Sequence, residues 1–337
     1  MANEKKVRIL PVAFGAAVVL AALASTVIVA ADGAYRDIGV GLISVALASF
    51  IADFLILMAL KRRTVIAGIV KFFAILLVNC LLFIPAGVYW FGPVAIFHPN
   101  ADPAAEELLA AEPNVTADIS KDEGLYGWRY NCGQPDAPVI LCFYGNGETA
   151  SRKMADFCEY IGQGYFSGFD IAVYDYPGYG HAPGRSTEAT VTAMSLAAYD
   201  HLRKTDDSVY VFGYSVGTGP ANFVAANREI GALVLMAPYA DGCDLFNHFI
   251  PVFRFPVLQR LISFKMDNAS LAGRVKVAPL VIASHNDETV PFASSERLVS
   301  CYADAVFEAV DVPDHAAFWN SVACLQMASD YFTEATV

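Results

Sequence analysis

A run of β-branched and aromatic residues, Val209 to Phe212, ends abruptly in Gly213-Tyr214-Ser215-Val216-Gly217, and small residues open a helix-compatible stretch at Thr218. A strand turning sharply into a helix at Gly-x-Ser-x-Gly forms a nucleophile elbow, which lifts the serine above the end of a sheet. The glycines leave room for that turn, and the helix behind it aims free backbone N–H groups at the place where an oxyanion would form. A glycine-rich loop carrying a solvated serine has the same five residues. The preceding strand favours the elbow, and the assignment needs partners elsewhere in the chain.

Strand-like runs at 125–130, 138–144, 169–176, 209–214, 232–236, 279–284 and 305–310 alternate with helical composition, most clearly at 187–203. Strands separated by helices predict a mostly parallel sheet covered on both faces. Residues 115–337 are about the size of one such α/β unit. The stretch before it, 98–114, is rich in Pro, Ala and acidic residues and reads as a linker.

A serine hydroxyl is a poor nucleophile at neutral pH and requires a base oriented by a third group. Behind an elbow of this kind the acid and then the histidine follow in chain order. Residues 278–284 read as a strand whose following loop presents Asp287, and 306–310 as a strand followed by a loop that presents His315. The assignment is Ser215 as nucleophile, Asp287 as orienter and His315 as general base, then acid. Asp311, Asp314 and Glu288 are rival orienters, and the first two lie so close to His315 in sequence that reaching its distal nitrogen would be strained. The loop Gly145-Asn146-Gly147 follows the strand at 138–144, so the backbone N–H groups of Asn146 and Val216 are assigned to the oxyanion hole. Asp175 to Gly180 forms another turn after a strand, read as scaffold packed under the site.

The N-terminal third is a different material. The chain is 56% hydrophobic over 337 residues, and the excess lies in three apolar runs at about 9–31, 38–60 and 72–94, within a membrane domain 1–97. Each exceeds the roughly 20 residues needed to cross a bilayer core, so three transmembrane helices are expected. A cleaved signal peptide is the competing reading of the first run, because Ile28-Val29-Ala30 resembles a cleavage site. Lys5, Lys6 and Arg8 precede the first run, and Lys61, Arg62, Arg63 and Lys71 surround the link between the second and third. By the positive-inside rule these segments are cytoplasmic and the domain after residue 95 is extracytoplasmic, which fits a bacterial cell membrane. Tyr89, Trp90 and Phe91 read as interfacial anchors. Asp53 is the only full charge in the second run and lies as far from Lys61 as Asn79 does from Lys71, which predicts a structural hydrogen bond between them.

Residues 1–100 hold eight Lys/Arg against four Asp/Glu, which leaves 14 against 30 in the other 237 residues. An acidic domain without basic clusters excludes nucleic acid as a partner. The seven cysteines show no metal-ligand spacing, and their pairing is not legible.

Together, the Gly145-Asn146-Gly147 loop, Asp175-Tyr176-Pro177-Gly178-Tyr179-Gly180, the Ser215 elbow, Asp287 through Pro291 and His315 resemble the serine α/β-hydrolase superfamily. Within it the chain looks like the Bem46-like and ABHD-type membrane-associated hydrolases. The resemblance implies an α/β-hydrolase fold and a small cap formed by the insertion 241–273; the aromatic density of that insertion suggests a greasy acyl or aromatic pocket, and equally suits helices that pack their apolar faces onto the domain. It implies cleavage of an ester, thioester or amide through an acyl-enzyme, with no metal or organic cofactor. The expected partners are a small acyl or ester substrate, possibly a lipid, and the bilayer; the oligomeric state is open. An acyltransferase on the same triad and a non-catalytic membrane-anchored binding protein are the alternatives. The family usually has His-Gly where this chain has Tyr144-Gly145, and His-Gly where it has Ala283-Ser284.

Overall fold

A computed structural model describes residues 36–59 and 64–336. The apolar run 9–31, expected as a first span, lies outside them. The chain divides into two units, Met1–Gly92 and Pro93–Val337.

In the first unit, α1 (Arg36–Ala59) and α2 (Val65–Ile96) contain the segments Val40–Met58 and Val65–Trp90, which are 19 and 26 residues long and apolar enough to cross a membrane. At 1.5 Å per residue they reach about 28 and 39 Å, enough for a ~30 Å hydrocarbon core. Two such helices, rather than three, are found among the described residues. The second begins at Val65, seven residues before the apolar run that announced it. The helix continues through Lys71, because a lysine can lay its aliphatic stem along apolar surface at little cost. The predicted polar contact is present: Asn79 Nδ2 donates to both carboxylate oxygens of Asp53 (3.0 and 3.3 Å), while Ser49 Oγ donates to Asn79 Oδ1 (2.5 Å). All three side chains are buried between helices whose other faces expose Leu47, Phe54 and Leu81. Gly41 lets the Trp90 indole lie against the α1 backbone, where a Cβ would stand 2.1 Å from the ring.

In the second unit eight strands form one sheet in the order β1-β2-β4-β3-β5-β6-β7-β8. They are β1 (Val115–Ser120), β2 (Leu125–Tyr130), β3 (Val139–Phe143), β4 (Asp170–Tyr174), β5 (Val209–Tyr214), β6 (Leu233–Met236), β7 (Leu280–Ser284) and β8 (Val306–Val310). β1, β2 and β4 pair antiparallel; from β4 through β3 to β8 every pairing is parallel. Strands β3 to β7 are buried along their whole length, as their almost wholly apolar sequences require for a sheet covered on both faces; of the exceptions, Asp170 at the start of β4 pairs with Arg129. The covering helices include α3 (Pro103–Ala110), α4 (Ala150–Gly162), α5 (Glu188–Leu202) and α6 (Thr218–Asn227). Phe212 of the central strand is fully buried and stacks on Trp319 at 5.1 Å; burying one such side chain is worth about 1.5–3 kcal/mol.

The segment 98–114 is more than a linker. Asp102 caps α3 by accepting from Ala105 N (3.0 Å), with Pro103 at the first helical position, and Ala105 and Leu109 are buried. Short, alanine-rich and acidic, α3 buries only these two positions, which is why its composition alone reads as a tether. Strand β1 has only Val115 fully buried, so the polar-looking Val-Thr-Ala-Asp-Ile-Ser gives no clear alternation. The insertion 241–273 folds as α7 (Gly242–Phe249), a 3₁₀ turn (Pro251–Arg254), α8 (Pro256–Gln259) and α9 (Asn268–Ala272). The chain then continues through α10 (Phe292–Val299) and α11 (Val322–Glu334).

Candidate active site

The loops after β3, β4, β5, β7 and β8 all leave the carboxyl end of the parallel strands, where α/β sheets build their sites. Phe143 pairs with Gly213 across β3 and β5, so the loop beginning at Tyr144 lies beside the turn at Ser215.

Ser215 adopts φ +53, a left-handed conformation that costs a non-glycine residue about 1–3 kcal/mol and persists only where its surroundings impose it. Those surroundings are tight. A Cβ on Gly217 would stand 2.2 Å from the Phe143 carbonyl oxygen, and one on Gly213 would stand 2.6 Å from the Ala221 methyl. A 3₁₀ turn, Ser215–Gly217, then leads into α6.

His315 Nε2 lies 2.8 Å from Ser215 Oγ, and its Nδ1 lies 2.8 Å from Asp287 Oδ2. The Asp287 side chain is 2% exposed, and its other oxygen accepts from the backbone N–H groups of Thr289 and Val290, both at 2.8 Å. Three charge-assisted hydrogen bonds therefore fix the carboxylate. With the Nδ1 proton donated to Asp287, the Nε2 lone pair faces the serine hydroxyl. Such an arrangement is able to withdraw the Oγ proton and to hold the positive charge that the imidazole then carries. Tyr214 ties the strand to the histidine, its hydroxyl donating to the His315 carbonyl (2.7 Å) and its ring stacking on the imidazole at 5.3 Å.

The rival orienters have other partners. Asp311 accepts from Asn286 Nδ2 (2.7 Å), Asp314 accepts from Ala317 N (2.9 Å), and Glu288 accepts from the His315 backbone N–H (3.3 Å). Among the described residues, the loop and turn hydrogen bonds include none from the backbone N–H groups of Asn146 or Val216 to a backbone carbonyl. The side chain of Asn146 is occupied: its Oδ1 accepts from His98 N (2.7 Å) and Tyr179 Oη (3.0 Å), and its Nδ2 meets His98 Nδ1 (3.2 Å). His98 and Asn100 are contributors that sequence reasoning missed, while Tyr179 belongs to the turn read as scaffold packed under the site. His98 reads as a membrane-flanking residue, and no local pattern links it to a loop 48 positions on.

Tyr144, which stands where the resemblance led one to expect histidine, donates to Asp175 Oδ1 (3.3 Å) and accepts from Tyr176 N (3.2 Å). Burial pushes the Asp175 carboxyl above its usual range, partly offset by hydrogen bonds from Ala150 N and His181 N. At the second departure Ser284 Oγ accepts from Asn286 N (3.2 Å) and so helps shape the acid loop. Both departures are thus absorbed by hydrogen bonding around the site.

A cleft of about 560 Å³ opens beside Ser215, walled by Glu148, Arg152, Asp156, Trp319 and Asn320. The expected greasy wall from the insertion is not there, since no residue of 241–273 lines this cleft. Phe264 joins the domain core and Phe253 packs on Phe246 within the insertion (ring centroids 5.8 Å), whereas Phe249 and Phe255 face outward. Beneath the cleft Lys153, fully buried, bonds Glu148 (2.8 Å) and Asp156 (3.0 Å) and lies 4.0 Å over the Trp319 ring. Burial acts to lower its pKa, but the two carboxylates more than offset this and raise it above the ordinary lysine value. Among the described residues no three His, Cys, Asp or Glu side chains gather as a metal-ligand group.

Residues 138–262 match the family model described as alpha/beta hydrolase fold. An uncharacterized protein of Mycobacterium tuberculosis is 30% identical over 217 residues, covering 62% of this chain and 74% of its own length. The chain belongs to the α/β-hydrolase superfamily. Another relative of this hydrolase is the alpha/beta hydrolase domain-containing protein 17B of Homo sapiens, 29% identical over 164 residues, 47% of this chain and 54% of that protein. Among solved structures, an alpha-beta hydrolase from Vibrio vulnificus superposes with a TM-score of 0.57 at 15% identity, covering 75% of this chain and 92% of that one. An esterase of Pyrococcus furiosus gives 0.54 at 15% identity, covering 71% and 98%. These two likenesses describe the fold.

Proposed function

We propose that this α/β hydrolase is a membrane-anchored serine hydrolase that cleaves an ester, thioester or amide through an acyl-enzyme. Ser215 attacks the carbonyl while His315 takes its proton, and Asp287 holds the imidazole in the required tautomer. The N–H groups of Asn146 and Val216 receive the developing oxyanion. His315 then returns the proton to the leaving group, and water repeats the sequence to release the acid. The observation that carries this reading is the relay from Ser215 through His315 to the buried Asp287, with both links at 2.8 Å. The apolar helices α1 and α2 serve as the anchor in this reading, and the positive-inside rule applied to the cationic segments flanking them supports an extracytoplasmic catalytic unit.

The test is labelling of the detergent-solubilised full chain with a fluorophosphonate. Wild type is expected to react once per chain, Ser215→Ala not at all, and His315→Ala far more slowly. Labelling retained in Ser215→Ala, or no labelling of folded wild type, overturns the mechanism.

A further inference from the structure

We infer that residues 97–100, which follow directly on Ile96 at the end of α2, are the positioning element of the oxyanion loop. The inference rests on the serine-hydrolase reading above and assigns to that site a contributor outside the elbow and the acid and histidine loops.

Phe97 is the anchor. It is 3% exposed, its ring meeting Phe264 edge-on at 5.1 Å and Tyr176 at 6.0 Å. From there the chain runs along the loop that follows β3. His98 N donates to Asn146 Oδ1 (2.7 Å), and His98 Nδ1 accepts from Asn146 Nδ2 (3.2 Å). Two residues on, Asn100 Nδ2 donates to the Gly147 carbonyl (3.2 Å), and the Asn100 carbonyl accepts from Gly180 N (2.8 Å). Tyr179 closes the clamp from the other side with its hydroxyl on Asn146 Oδ1 (3.0 Å).

Both polar atoms of the Asn146 amide are therefore engaged away from Ser215, and what this residue offers a substrate is its backbone N–H. The loop itself is a poor guarantor of that N–H. It contains two glycines, Gly147 at φ +75; the bond from Gly145 N to Glu148 Oε2 (2.9 Å) ties the loop ends but leaves the freedom of the Asn146–Gly147 peptide to outside contacts. An oxyanion donor acts through its placement, and an error of about 1 Å costs on the order of 100-fold in rate. Asn146, His98 and Asn100 are thus positioning residues for that donor.

The experiment uses the full-length protein in detergent with a p-nitrophenyl ester, active sites being counted by complete fluorophosphonate labelling. Asn146→Ala keeps the backbone N–H but removes the bonds to His98 and Tyr179. It is expected to lower kcat per labelled site by about 10- to 100-fold, approaching the loss seen when a hole donor is deleted, with KM nearly unchanged. The inhibition constant of an alkyl boronic acid, whose tetrahedral adduct places an oxygen in the hole, should rise by the same factor. Asn100→Ala, at an exposed side chain, should shift both quantities in the same direction by a smaller factor. The double variant should lose less than the product of the two, because both substitutions free the same loop.

If wild type fails to label at Ser215, the hydrolase reading falls. If wild type labels and both variants turn over at its rate per labelled site, only the clamp falls. A loss that comes entirely as fewer labelled sites, with boronate affinity intact, also overturns the clamp. Should Asn146→Ala not fold, Asn100→Ala carries the test alone.

Discussion

Replacing Asp287 by Asn changes one atom of the proposed relay and almost no volume, so its effect isolates the tautomer of His315. The carboxylate has two distinct jobs: one oxygen accepts from Thr289 N and Val290 N, the other from His315 Nδ1. An amide has one oxygen to offer. If that oxygen stays on the two backbone N–H groups, Nδ2 faces the imidazole, and His315 must turn its lone pair to Nδ1 and its proton to Nε2. It then presents Ser215 with a donor where a base is needed. The opposite flip sets the amide N–H groups against two backbone donors in a site where the side chain is 2% exposed. Leaving those two buried donors unsatisfied costs about 1–3 kcal/mol each, roughly 2–6 in all. The first orientation therefore prevails, and kcat should fall by about 10⁴-fold, the loss expected when the imidazole is held in the wrong tautomer, or about 5.5 kcal/mol in barrier height. The assay is steady-state hydrolysis of p-nitrophenyl acetate per folded protein, with thermal melting as a control. A variant that melts like wild type and keeps more than about a tenth of its kcat would refute the argument.

Lys153→Met should destabilise the protein by about 3 kcal/mol, the low end for breaking a buried ion pair, because Glu148 and Asp156 keep side-chain exposures of 25% and 19%. Urea unfolding measures this, and a change under 1 kcal/mol, to within about 0.5, would contradict it. Gly217→Ala should cost about 3 kcal/mol or more, or prevent folding, since the new methyl meets strand backbone rather than a flexible side chain; a wild-type melting curve would count against the packing described. Asn79→Leu strands Asp53 and Ser49 between α1 and α2, and should lower stability in detergent by about 1–2 kcal/mol, read as faster thermal inactivation; unchanged inactivation would leave the pair without a structural role.

What was legible in the sequence is what is local. The Ser215 elbow, and Asp287 and His315 each emerging after a strand, are patterns written within a dozen residues. The central strands could be bounded to within one or two positions because sheet burial demands near-continuous apolar runs. What was not legible depends on contacts between distant segments. Residues 98–114 look like a tether, yet Asp102 caps a helix there and Asn100 reaches a loop 47 positions away. The aromatic count of the insertion 241–273 suited a greasy pocket and packing onto the domain equally, because count does not say which way a ring faces. Phe264 turned inward and Phe255 outward. Conversely, the Asp53–Asn79 contact was readable because two helices joined by a short link put residues equally far from that link at similar depth.

The ring of Tyr214 gains its importance when charge moves. In the resting site it is a flat surface 5.3 Å from the imidazole and inclined to it by only 22°. In the proposed relay, where His315 takes the serine proton, the same face would lie against a cation, an attraction worth about 0.5–2 kcal/mol, and the hydroxyl bond to the His315 carbonyl keeps the two rings in register. An interaction that strengthens as charge separates lowers the barrier more than it tightens substrate binding. The residue between Gly213 and Ser215, free to vary as far as the turn is concerned, thereby becomes a partner in each proton transfer that the proposed mechanism requires.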